Sequence, residues 1–309
     1  MSRDIAASIR QRLLNESRSK NRPFQELLQY FAMERFLYRL GQHGMSDRFI
    51  LKGALLMTAW KTAESRPTVD IDLSAKTSND HDHIRKWIEE LCAMPVDDDG
   101  LSFDAASIEV RRIKEDADYE GIRIRFEATL ARAKVPMQID IAFGDVITPH
   151  PSKLDYPVIL DLPAPRLLAY PRETVIAEKL EAITVLGLLN SRLKDYFDIW
   201  LLSKIYSFDG IDLAQALTAT FQNRATVIEA RPVGLTAKFS SDSDRQKQWT
   251  AFRKRGRFPN APDDLTALVN AVGKFAIPLL EALSGPGKFH QAWMAGGPWR
   301  EFVRKTTSP

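Results

Sequence analysis

The chain has 309 residues, with 43 Lys and Arg against 40 Asp and Glu, a formal net charge of +3, and 44% hydrophobic and 27% charged residues. That is the balance of an ordinary globular protein with room for two domains. Its apolar runs read as too short to span a bilayer, the start Met-Ser-Arg-Asp lacks a signal peptide's apolar core, and the single Cys92 excludes an internal disulfide, so a cytoplasmic protein without membrane attachment is expected.

One cysteine and five scattered histidines also argue against a zinc site. His81 and His83 lie in a polar stretch that reads as a solvated helix start. Charge is unevenly spread. Residues 1–165 carry 23 basic and 26 acidic side chains, net −3, and residues 166–309 carry 20 and 14, net +6. A basic second half is the balance expected if that half holds a polyanion.

In chain order, Asn21-Arg-Pro-Phe opens a helix to about His43, with Leu27, Leu28, Phe31 and Leu40 as its stripe. The apolar stretch from Phe49 carries Lys52-Gly53-Ala54. A glycine opening a helix lets backbone N–H groups approach a phosphate, although a tight turn uses the same residue. Pro67 to Leu73 reads as a strand with Val69, Ile71 and Leu73 on one face. Asp70 and Asp72 then share the other face. Adjacent carboxylates repel unless a cation lies between them, and a hard divalent ion is the natural filler, the alternative being a solvated strand face.

Ser78 to Cys92 reads as a helix, closed by Pro95 and Asp97-Asp-Asp-Gly100. Ile122 to Leu130 and Met137 to Ile141 alternate apolar and polar residues around the turn Ala131–Lys134, a hairpin with one buried face. Asp140 falls on its polar face. Asp70 and Asp72 with one Asp from a neighbouring antiparallel strand would make a carboxylate triad of the kind that two-metal phosphoryl transfer uses. The proline-rich stretches Thr148–Ser152 and Asp161–Pro165 mark a boundary, giving domains 1–165 and 166–309.

Beyond it helices are expected over about 172–187, 192–206, 211–221 and 262–283. Residues 222–260 are polar, basic and unassigned, and the tail from Gly285, with two tryptophans, is expected to pack as a cap. Lys179 falls inside the stripe of Val175, Ile176, Leu180 and Ile183. It therefore implies an anionic partner, either a phosphate or a carboxylate of the other domain, unless it snorkels. Asp195 and Asp198 share one helix face. Asp195 could be an N-cap, whereas Asp198, among Leu201, Leu202 and Ile205, needs a donor. Trp249 to Phe258 interleaves aromatics with cations, a pattern suited to RNA or to a solvated basic loop.

Taken together, Lys52-Gly53-Ala54-Leu55 followed by Arg66-Pro-Thr-Val-Asp70-Ile-Asp72-Leu resembles the first motif of the AbiEii/AbiGii-type nucleotidyltransferase toxins, which include the mycobacterial MenT proteins. Ala177-Glu178-Lys179-Leu180 and Arg192-Leu-Lys194-Asp195-Tyr-Phe-Asp198 resemble the later lysine and Asp-x-x-Asp helices, and Phe275-Ala-Ile-Pro278 resembles the family's ending. The resemblance implies an α+β chain: a DNA polymerase β-like nucleotidyltransferase domain, its mixed or antiparallel sheet flanked by helices, then a mainly helical C-terminal domain. It further implies a toxin of a toxin–antitoxin pair that uses Mg²⁺ or Mn²⁺ to transfer a nucleoside monophosphate from an NTP, CTP foremost, to RNA such as the tRNA 3′ end, blocking translation. A cognate antitoxin is the implied partner.

By the same resemblance Asp70, Asp72 and Asp140 would hold the metal. Lys52, Gly53, Ala54, Arg66, Lys179 and Asp195 would bind nucleotide, with Lys179 and Asp198 also catalytic. Ala54 departs from the family's usual Gly-Gly or Gly-Ser and has no hydroxyl for a phosphate. The alternatives are a transferase acting on a protein or small molecule, and a non-catalytic RNA-binding module.

Overall fold

A strand buried on one face needs helices over that face, and the first unit of the chain is built on that requirement. Its elements are α1 (Ile5–Ser19), α2 (Phe24–Gln42), β1 (Phe49–Lys52), α3 (Leu55–Ala59), β2 (Asp70–Ala75), α4 (His81–Cys92), β3 (Leu101–Asp116), β4 (Tyr119–Leu130), β5 (Ala133–Phe143), β6 (Ser152–Asp155) and β7 (Arg166–Ala169). The computed structural model describes residues 4–60, 62, 66–116 and 119–301. The seven strands form one mixed sheet in the order β3-β4-β5-β2-β1-β7-β6.

α2 lies against β5 and β7 and buries Leu27, Leu28, Phe31, Phe36, Leu37 and Leu40 completely or nearly so. Phe36 meets Phe103 edge-on and packs tilted against Phe126, and Gln29 Nε2 donates to the Pro136 carbonyl at 3.0 Å. Inside this core Arg39 forks onto Asp99, which spares both charges the cost of unpaired burial. α4 starts at His81, where Asp80 accepts from the His83 N–H at 2.9 Å. Its Trp87 stacks on Phe49 at 3.6 Å.

The β4–β5 hairpin forms as its alternation requires. Ile122, Ile124, Phe126, Ala128 and Leu130 pair with Ile141, Ile139, Met137, Val135 and Ala133, and the burial of all but Ala133 fixes the register. Two details of the neighbouring strand differ from the reading of the sequence. β2 begins at Asp70, so Val69 precedes the ladder and is 61% exposed, whereas Ile71 and Leu73 are fully buried. β2 also runs parallel to β5. Alternation fixes which face a side chain takes but not strand direction. The passage through α4, β3 and β4 brings the chain back in the same sense.

The second unit takes the chain from Pro171 onward, together with Thr62 and Val146–His150. It holds α5 (Arg172–Leu186), α6 (Leu193–Ile205), β8 (Phe208–Asp209), α7 (Gly210–Asn223), α8 (Ala237–Ser240), α9 (Ser243–Gly256), α10 (Leu265–Leu283), β9 (Gln291–Trp293) and β10 (Trp299–Glu301). The unassigned stretch thus contains two helices. α9 escaped a periodicity reading because Trp249 is its single buried residue, and Asp242 caps it by accepting from the Asp244 and Arg245 N–H groups.

Among the described residues one helix, α10, is long and apolar enough to cross a membrane, contrary to the reading of the apolar runs. Its Leu268, Val272, Phe275, Leu279 and Leu280 are buried, and it packs against α6 and α7. The tail packs as a cap over this unit. Trp299 stacks on Phe275 and donates to its carbonyl at 2.8 Å, and Trp293 donates to the Ser203 carbonyl at 2.6 Å. Residues 302–309 of that tail lie outside the described residues.

Candidate active site

In the first unit the candidate residues meet on one face of the sheet. Asp70 and Asp72 alternate with buried Ile71 and Leu73, so both carboxylates project from the opposite side of β2. The register then supplies neighbours. Asp72 stands opposite Lys52 of β1 on one flank and opposite Asp140 of β5 on the other, and Asp70 stands opposite Gln138.

Gly53 follows Lys52 with φ +72°, and a Cβ there would lie 1.8 Å from Asp72 Oδ2. Only glycine allows the backbone so close to that carboxylate. Ala54 is buried, which leaves its backbone as the part that could meet a phosphate, and α3 behind it has only five residues. Arg66 is half-buried in the segment just ahead of β2.

Lys52 Nζ pairs with Asp145 Oδ2 at 3.0 Å, and the Tyr170 hydroxyl donates to the same oxygen at 2.7 Å. Burial opposes ionisation of Asp145, but Lys52, Tyr170 and Ser74 outweigh it and hold its pKa below the usual carboxylate range. Asp145 was not singled out from the sequence. It follows Phe143-Gly144 at the end of a strand, and nothing in that pattern distinguishes it from an ordinary turn aspartate.

Asp140 is held differently. Arg123, its cross-strand partner on β4, forks onto it with Nε–Oδ1 and Nη2–Oδ2 both at 2.8 Å, and Gln138 Nε2 lies 3.4 Å from Oδ2. Arg123 was also missed, although counting back through the turn from Asp140 leads to it. Hard oxygen donors on one face suit a divalent cation, and Asp70 with Asp72 offer them from one strand. Among the described residues, however, no three His, Cys, Asp or Glu groups are drawn together into a metal-sized cluster. The donor chemistry therefore fits a cation held first by Asp70 and Asp72. Asp140 can join it only by sharing its oxygens with Arg123.

In the second unit Lys179 of α5 pairs with two carboxylates. Lys179 Nζ lies 2.8 Å from Asp195 Oδ1 and 2.8 Å from Asp198 Oδ2, both on α6 of the same unit. The two aspartates are essentially inaccessible. Asp195 is not an N-cap, since α6 is preceded by Arg192, whose Nε lies 2.8 Å from Asp195 Oδ2. Burial opposes its charge, but Lys179 and Arg192 prevail and lower its pKa. Asp198 has the donor that its apolar surroundings required.

The basic-aromatic run behaves otherwise. Trp249 and Phe258 are buried inside the helical unit, where Trp249 stacks on Phe252 and Phe258 on Phe197. Those two rings cannot receive bases. Lys254, Arg255 and Arg257 remain exposed, beside an open 530 Å³ cavity that Arg253, Lys254 and Arg257 line with Phe258.

Residues 35–271 match the sequence model of a family described as nucleotidyl transferase AbiEii toxin, type IV toxin–antitoxin system. The chain belongs to the AbiEii family. Family membership makes it a nucleotidyltransferase, with an NTP substrate, a divalent metal of the kind such enzymes use and an antitoxin partner. No curated protein matches the chain. Two solved structures are similar: a candidate nucleotidyltransferase from H. pylori, at 18% identity and TM-score 0.45 over 84% of this chain and 96% of that one, and JHP933 from Helicobacter pylori, at 16% and 0.44 over 84% and 93%.

Proposed function

We propose that this AbiEii member transfers a nucleoside monophosphate from an NTP, with CTP the first to test, to the 3′ end of an RNA, foremost tRNA, and so stops translation. The observation that carries the reading is the register of β1, β2 and β5, which aligns Lys52, Asp72 and Asp140 on one sheet face with Asp70 beside them. Asp70 and Asp72 would hold Mg²⁺ or Mn²⁺. A bound cation supplies the positive charge that the transferring phosphoryl group needs.

The other roles belong to the chain's own residues. Lys52 and Arg66 bring positive charge to the triphosphate, and the backbone at Gly53 and Ala54 offers N–H groups to it. Asp140 accepts the proton of the attacking hydroxyl or joins the cation as a ligand. In the helical unit Lys179, Asp195 and Asp198 are the residues proposed to serve the nucleotide, and the exposed cations at the end of α9 are proposed to meet the RNA backbone.

Purified protein with Mg²⁺ and each labelled NTP in turn should label total RNA in the tRNA band, and Asp72→Ala should abolish the label. Label in a protein band or on an aminoglycoside would replace RNA with that acceptor. No transfer from any NTP to any acceptor would refute the reading.

A further inference from the structure

The polar face of the sheet continues past the carboxylates, and what lies there bears on metal binding. Arg123 and Arg125 of β4 stand opposite Asp140 and Gln138 of β5, which in turn stand opposite Asp72 and Asp70 of β2. Arg125 Nε donates to the Gln138 side-chain Oε1 at 3.0 Å. Arg123 therefore holds Asp140 from the side away from β2, with two N–H donors on its two oxygens. The Asp140 side chain is 9% exposed and that of Arg123 34%, so the pair is only partly screened by water.

A carboxylate whose oxygens are both engaged by a guanidinium is a poorer ligand for a second cation. We infer that Arg123 is a positioning residue that sets the divalent-cation affinity of this face, acting as an internal cation on Asp140 that an incoming metal ion must share or displace. The inference rests on the reading of Asp70 and Asp72 as metal ligands and goes beyond it. It assigns the control of affinity to a residue of the neighbouring hairpin that stands one strand beyond Asp140 in the register.

The test is Mn²⁺ binding to the full chain without nucleotide, followed by the electron paramagnetic resonance signal of free Mn²⁺. A neighbouring unit charge shifts proton affinity at a carboxylate by one to three pKa units, and the partly exposed Arg123 belongs at the low end. Arg123→Gln should thus bind Mn²⁺ about tenfold more tightly than the unaltered chain. Arg123→Lys, which keeps the charge but not the fork, should stay near the original affinity. The gain should vanish when Asp140→Asn is present in both members of the comparison.

An Arg123→Gln affinity within about twofold of the original, or a gain that persists with Asp140→Asn, overturns the inference while leaving the metal site in place. Absence of Mn²⁺ binding in the unaltered chain and every variant removes the metal reading itself, and the inference with it. If circular dichroism shows Arg123→Gln unfolded, Arg123→Thr, neutral and suited to a strand, takes its place under the same criteria.

Discussion

Lys179→Met replaces a buried ammonium by an uncharged side chain of similar length and leaves Asp195 and Asp198 in place. Both carboxylates are essentially inaccessible, and each lies 2.8 Å from the ammonium. Removing one partner of a buried ion pair costs about 3–5 kcal/mol, because the remaining charge stays desolvated. Arg192 still reaches Asp195, so the cost should fall toward the lower end of that range, with Asp198 its main source. The loss should depend on pH with a definite sign. In the native protein Asp195 has a lowered pKa, so its favourable contribution is present above the unfolded value of 3.8 and is lost as pH falls through the folded one. Without Lys179, the burial of Asp195 is offset by Arg192 and Lys194 alone, and its charged form loses its largest source of support. The deficit should therefore be largest near neutrality and shrink as pH falls toward 4. Urea unfolding followed by tryptophan fluorescence at several pH values measures it. A loss below about 1 kcal/mol, or one independent of pH, would show that Lys179 behaves as an exposed pair does and would refute the reasoning. The result also bears on activity, since loss of transfer in a Lys179 variant speaks to the nucleotide only at temperatures where the variant is folded.

Gly53→Ala places a Cβ 1.8 Å from Asp72 Oδ2 at φ +72°, so it should displace that carboxylate and lower NTP transfer by about 100-fold or more in a chain that still folds by circular dichroism. Unchanged transfer would show that Asp72 does not need its position. Glu34, buried beside Arg35, has its pKa raised to about 7, chiefly by burial. A raised carboxylate pKa means that the native state binds the proton more tightly. Stability should thus fall as pH rises from 4.5 to 7, and Glu34→Gln should flatten that slope by at most about 1.4 kcal/mol per pH unit in urea titrations. Identical slopes would place the proton elsewhere. Burial pushes the Cys92 thiol up to about 12, so at pH 8 a disulfide reagent should label the native chain about 1,000-fold more slowly than the unfolded one. Equal rates would contradict a protonated native thiol.

Residue pattern alone determined the faces. Alternation in 122–130 and 137–141 gave the hairpin with Asp140 on its polar side, and the same rule put Asp70 and Asp72 together, because side chains on a strand take opposite faces in turn. Helical periodicity likewise placed Lys179 and Asp198 among apolar neighbours, where each required a partner. Pattern could not say which partner, since that depends on how α5 meets α6. It missed α9, whose single buried Trp249 leaves no stripe to read, and it left open between RNA and a solvated loop two aromatics that the helical core claims.

The parallel sense of β2 and β5, the Asp145 anchor beneath Lys52 and the Arg123 fork on Asp140 belong to the tertiary structure alone. Each joins residues far apart in the chain. Such contacts are set by the order in which strands enter the sheet, whereas local alternation fixes only the side from which each residue projects.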